Sequence, residues 1–129
     1  MATIKQFEDL EIWQKAREIC KKINVLTKKE HFRKDFSLVD QIRRSSGSAM
    51  DNIAEGFERD GNREFIQFLN ISKGSIGETR SQLYRAMDFE YISEQDFNLH
   101  KAECLALSKQ IRSFSDYLKQ CEYKGHKFK

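Results

Sequence analysis

The sequence predicts an all-α protein, an antiparallel up-down-up-down four-helix bundle. Three observations carry that prediction. The 129-residue chain has no Pro and only six Gly, with 33% charged and 39% hydrophobic residues. That balance suits helices and leaves few breakers for the turns of a sandwich or barrel. Apolar residues recur in steps of three and four along four stretches of similar length, which is the signature of one helix face. Turn and capping patterns separate those stretches. At 15.3 kDa the chain makes one domain. It is read as a bundle over residues 1–125 with a frayed tail at 126–129.

The first segment covers about residues 9–28. Ile12, Ala16, Ile19, Ile23 and Leu26 form its stripe, with Trp13 and Cys20 at the edge and Asp9 as the N-cap. A break is expected around residues 29–35. The second segment covers about residues 38–59, opened by the capping pattern Ser37-Leu-Val-Asp40. Its stripe is Leu38, Ile42, Ala49, Ile53 and Phe57. Its middle, Ser45-Ser46-Gly47-Ser48-Ala49, has poor helix propensity. Either a neighbour packs closely there, or the segment breaks into two short helices.

Asp60-Gly61-Asn62 is the clearest turn signal and supplies an N-cap for the third segment, about residues 63–90, with Glu64 in its first turn. Phe65, Leu69, Ile76, Leu83 and Met87 make the stripe, flanked by Phe68 and Ala86, and Gly74 and Gly77 interrupt the middle. Ser93-Glu-Gln-Asp96 caps the fourth segment. Phe97, Cys104, Leu107, Ile111, Phe114, Leu118 and Cys121 form its stripe, and Gly125 is the expected stop.

Some apolar residues fall outside these stripes. Ile71 and Phe89 share a phase about 120° from the main stripe of the third segment, with Ser75 and Gln82 between them. Ile66 and Tyr84 flank the other side, and Leu99 and Tyr117 lie off the fourth stripe. These are either scattered surface apolars or a second face buried by self-association. Folding the chain about Gly61 sets Gly47 level with Gly74, both phased outward, as suits close approach of another helix. Gly47, Ile71, Gly74 and Phe89 are therefore the candidate oligomer interface. The same folding sets Arg43 and Arg44 level with Glu78 and Gly77, so an Arg–Glu link across the hairpin is expected. Asn52 and Glu55, beside the second stripe, are expected to bond a neighbouring helix.

The net charge is +3, and its distribution is uneven: residues 1–50 carry eleven Lys/Arg against seven Asp/Glu, residues 51–100 five against ten, and residues 101–129 seven against three. Basic ends around an acidic middle read either as solvated, paired helix faces or as a surface for an anionic partner. The candidate nucleic-acid contacts are Lys15, Lys21, Lys22, Arg43, Arg44 and Lys73. Cys20, Cys104 and Cys121 form no CxxC, and His31, His100 and His126 stand far apart, so no metal site is expected. Phosphate-loop, dinucleotide, zinc-protease and nucleophile-elbow motifs are missing, as is any Glu-x-x-His pair. No catalytic, cofactor or metal residue is assigned, and the chain is read as non-enzymatic. The N-terminal stretch lacks the apolar core of a signal peptide, and no span suits a membrane, so a reducing cytoplasmic location is expected.

Five stretches resemble one family in order and spacing. They are Phe7-Glu-Asp-Leu-Glu-Ile-Trp-Gln-Lys-Ala-Arg17, Gln41-Ile-Arg-Arg-Ser45, Asn52-Ile-Ala-Glu-Gly-Phe57, Glu64-Phe-Ile-Gln-Phe-Leu69 and Lys73-Gly-Ser75. The family is the bacterial four helix bundle protein family, also called the 23S rRNA intervening-sequence protein family. The resemblance covers about residues 7–120, and its motif positions here include Trp13, Arg43, Arg44, Asn52, Glu55, Gly56 and Glu78. It implies a small cytoplasmic bundle that assembles into a ring, a homo-pentamer, with no enzymatic activity and no cofactor. It further implies RNA, DNA or another protein as partner. Relatives serve as accessory proteins of diversity-generating retroelements, where a basic surface engages nucleic acid and a reverse transcriptase. Many relatives carry Ser-x-Pro before the Asn-Ile-Ala-Glu-Gly run. Here those positions read Ser48-Ala49-Met50, so the kink such a Pro gives is expected to be absent or softer.

Overall fold

A computed structural model describes residues 3–123 of the chain. After a 3-10 turn at Phe7–Asp9 it forms four helices, α1 (Glu11–Thr27), α2 (Phe36–Phe57), α3 (Asn62–Asp88) and α4 (Glu94–Tyr123), with a second 3-10 turn at Phe32–Lys34 between α1 and α2. Short connections make consecutive helices antiparallel neighbours, and α4 returns to pack on α1. The α2–α3 hairpin has the most extensive contact and the α1–α4 closure the least. The expected fold class is therefore the observed one. The expected stop at Gly125 and the tail at 126–129 lie outside the described residues.

The stripes become one continuous core. Ile12, Ala16, Ile19, Ile23 and Leu26 of α1 meet Leu38, Ile42, Ala49, Ile53 and Phe57 of α2, Phe65, Leu69, Ile76 and Leu83 of α3, and Phe97, Cys104, Leu107, Ile111 and Leu118 of α4. Trp13 is also buried, edge-on to Phe7 with ring centroids 5.1 Å apart, and the Arg17 guanidinium lies over its face at 5.7 Å. Phe57, Phe65 and Phe114 form a chain of edge-to-face rings across three helices.

Several boundaries differ from the sequence expectation. Asp9 caps the preceding 3-10 turn, accepting from the Lys5 and Gln6 amides, and α1 starts two residues later. α2 is capped by Asp35, whose carboxylate accepts from the Leu38 amide at 3.0 Å, rather than by Ser37. Gly61 of the expected turn occupies the N-cap position of α3, and the helix starts at Asn62, one residue earlier than expected. Ser93 does cap α4, accepting from the Asp96 amide at 3.0 Å. α3 ends in a double closure, with Glu90 N–H donating to Met87 and Tyr91 N–H to Ala86. Glu90 takes the left-handed position (φ 62°) that Gly usually fills.

α2 runs unbroken through Ser45–Ala49, so the alternative of two short helices is not realised. Ser45, Ser48 and Ala49 of its middle are bonded to α3, whereas Ser46 donates to the Ile42 carbonyl of its own helix. The Ser45 hydroxyl lies 2.8 Å from that of Thr79 and donates to Gln82 Oε1 at 2.6 Å. Ser48 and Ser75 hydroxyls meet at 2.9 Å, and Ser72 donates to the Ala49 carbonyl at 2.6 Å. These small side chains let the helices approach closely, and each hydroxyl bonds across the seam. Nearer the hairpin, Gly56 faces α3 so closely that a Cβ there would lie 2.7 Å from Phe68 Cβ and 2.9 Å from Phe65 Cδ1.

Candidate functional site

The motif residues of the α2–α3 hairpin divide into inward and outward groups. Gly56 sets the close approach just described, and Trp13 is a core anchor. Asn52 donates to the Ser48 carbonyl (2.8 Å) and hydroxyl (3.0 Å), so it stabilises its own helix and the polar seam rather than bonding a neighbour directly. Glu55 pairs at 3.1 Å with Arg59, just past the C-terminal end of α2, and so does not bond a neighbouring helix. The expected Arg–Glu link across the hairpin does not form among the described residues. Arg43 Nε donates to Thr27 Oγ1 on α1 at 3.1 Å, and Arg44 pairs with Asp40 at 3.0 Å. Arg44 and Glu78 nevertheless line one shallow cleft of about 310 Å³, floored by the Ser45, Ser48, Ser75 and Gln82 polar groups.

The outer face of the same hairpin carries the candidate oligomer interface. Ile71 is 51% exposed and Phe89 52% exposed. A Cβ added at Gly47 or Gly74 would meet nothing within 4 Å, as their outward phase predicted. Ser75 and Gln82 do not belong to that face. They are buried against α2, because the polar seam captures them. On α4, Leu99 and Tyr117 are exposed, as their off-stripe positions implied.

Of the six candidate nucleic-acid contacts, five are engaged within the chain. Lys15 pairs with Glu11 and Lys21 with Glu18 in single helix turns, and Lys22 crosses to Glu103 on α4. Arg43 and Arg44 are held as above. Lys73 has no hydrogen-bond or ion-pair partner among the described residues. It lines a cleft between α3 and α4 together with Asn70, Ile111, Arg112, Ser115, Asp116 and Lys119. Sequence reading missed Arg112 and Lys119. Folding α3 onto α4 about Ile92 and Ser93 sets Lys73 level with Arg112, the same operation that aligned the glycines across the other hairpin.

The thiols and the imidazole are placed for packing. Burial, with a small contribution from Glu103, pushes the Cys104 thiol up to about 12. Cys20, also raised chiefly by burial, donates its thiol to the Ser46 carbonyl at 3.0 Å. Both thiols stay protonated at neutral pH, which removes them as nucleophiles. His100 is buried on α4 and bonds Glu103 through Nδ1 at 2.9 Å. Glu103 therefore ties α4 to Lys22 of α1 while orienting the ring. Among the described residues no three His, Cys, Asp or Glu side chains converge as metal ligands, and no helix is long and apolar enough to cross a membrane.

Comparison with known proteins agrees with this architecture. The sequence profile of the 23S rRNA-intervening sequence protein family matches residues 8–113. A crystal structure from Bacteroides thetaiotaomicron VPI-5482, of a protein of unknown function from the S23 ribosomal protein family, superposes with a TM-score of 0.75 at 26% sequence identity. The match covers 81% of this chain and 97% of that one. No curated protein matches the chain.

Proposed function

The chain belongs to the 23S rRNA-intervening sequence protein family, and from that premise we propose that it is a non-enzymatic, self-associating bundle that serves as a binding or scaffold module. The observation that carries this reading is the outer face of the α2–α3 hairpin. Ile71 on α3 and Phe89 at its C-cap stand half exposed, and Gly47 and Gly74 leave open ground for another backbone. Burying such a face removes apolar surface from water, and the glycines permit close helix contact. Repeating one heterologous contact around an axis closes a ring, here read as a homo-pentamer in the cytoplasm. The test replaces both half-exposed residues, Ile71→Asp with Phe89→Asp. Sedimentation should then report a single-chain mass while the far-ultraviolet helical signal stays at the wild-type level. An unchanged assembly in the double variant contradicts the placement of the interface.

We take RNA as the partner class, because Lys73 lines a basic cleft with Arg112 and Lys119. A second reading, a protein-interaction module without a nucleic-acid role, is favoured by one observation: five of the six basic side chains first considered are already engaged within the chain.

A further inference from the structure

We propose that the α3–α4 cleft around Lys73, Arg112 and Lys119 is a phosphate-binding site. The cleft has a volume of about 200 Å³, room for a phosphate group with water around it. Three cations line it against one carboxylate, Asp116, which reaches Lys119 at a loose 3.9 Å. Lys73 and Arg112 have no hydrogen-bond or ion-pair partner among the described residues, unlike the other basic side chains considered above.

The second observation is independent of charge. Ser115 lines the same cleft, is only 4% exposed, and its hydroxyl has no hydrogen-bond partner. Buried hydroxyls are nearly always satisfied, so an unpartnered one beside two unpaired cations calls for an acceptor that the chain does not supply. A phosphate oxygen fits that demand. Arg offers a planar fork and Lys a point charge, the combination that recognises phosphate. Two uncompensated positive charges suit a phosphate's one to two negative charges better than a carboxylate's single one.

The phosphate could be free or part of a polynucleotide backbone. Farther along the α3–α4 seam, the Lys101 ammonium lies 5.4 Å from the ring centroid of Tyr84, which is itself exposed. A cation beside an exposed ring is the pairing that single-stranded nucleic acid uses for backbone and base. The site gives the binding reading above its chemistry. It lies on α3 and α4 of one chain, so it stands or falls separately from self-association.

The test titrates the full chain with inorganic phosphate and, in parallel, with a short oligouridylate, following the amide resonances of Arg112 and Ser115. Lys73→Gln and Arg112→Gln should each weaken binding about tenfold, the loss expected for one charged hydrogen bond, whereas Lys15→Gln should leave it unchanged. Phosphate should raise the melting temperature of the wild type more than that of Ser115→Ala. Saturation by phosphate alone identifies a small phosphate-bearing ligand. Saturation by oligouridylate, with phosphate competing, identifies a backbone. The proposal is overturned if neither probe moves those resonances, or if the Lys73 and Arg112 variants bind as tightly as wild type.

Discussion

At position 56 the absence of a side chain decides how α2 meets α3. Gly56→Ala would force a methyl group to 2.7 Å from Phe68 Cβ. The backbone of α3 must then move, or Phe65 must leave its place in the ring cluster. The helix-propensity gain from Ala is about 1 kcal/mol, and overpacking costs about 1–3 kcal/mol. The net expectation is a loss of stability in urea unfolding. Gly77→Ala is the matched control: nothing lies within 4 Å of its Cβ position, so it should gain about 1 kcal/mol from propensity alone. The sequence marks both positions only as Gly within a helix. What separates them is the neighbouring helix, which a single helix's periodicity does not report. Ser45, Thr79 and Gln82 show the same limit. Hydrophobic patterning assigns polar side chains outward, but these three satisfy one another across the seam and go inward.

Among the elements, most of each stripe was legible because core burial imposes the 3.6-residue period on every helix; Met87, Phe114 and Cys121 are only partly buried, and Leu10, Phe32 and Ile92 join the core from the connections, where no period marks them. Helix starts were less so, because several residues near each end can accept an amide bond and only local geometry chooses. Asp35 prevails over Ser37 in this way. Asp35 also accepts the Tyr91 hydroxyl at 2.9 Å, and Tyr91 stacks on the wholly buried Phe32. The α1–α2 connection is thereby tied to the α3–α4 connection at one end of the bundle. That bond raises the Tyr91 pKa above its usual 10.0, because ionisation would give up the donated proton and set a phenolate against a carboxylate. The folded-state value exceeds the unfolded one, so the contribution is fully present below pH 10 and is lost as pH rises through the raised value. Tyr91→Phe should lower the melting temperature near neutral pH, and the gap to wild type should narrow above pH 10. A gap that stays constant across that range would show that the bond to Asp35 contributes nothing.

For the whole molecule, the basic ends and acidic middle seen in the sequence resolve into two kinds of charge. Lys22 and Glu103 close α1 against α4, Lys29 reaches Asp96 at 3.4 Å, and Lys15 and Lys21 pair within α1. Lys73 and Arg112 remain on the α3–α4 seam. The candidate site was thus half legible. Lys73 stood out by its place in the motif, whereas Arg112 and Lys119 needed the second hairpin to be folded. Of the apolar residues off the stripes of α3 and α4, Ile71, Tyr84, Leu99 and Tyr117 are exposed, whereas Ile66 packs against the core; Val25 of α1 and Phe36 of α2 are exposed too. The central claim is that a single bundle does not act alone, and the mass of the wild-type chain in solution tests it most directly. Light scattering at micromolar concentration should give a multiple of the 15.3 kDa chain mass, about 77 kDa for a closed ring of five. A mass near 15 kDa at that concentration would contradict the claim.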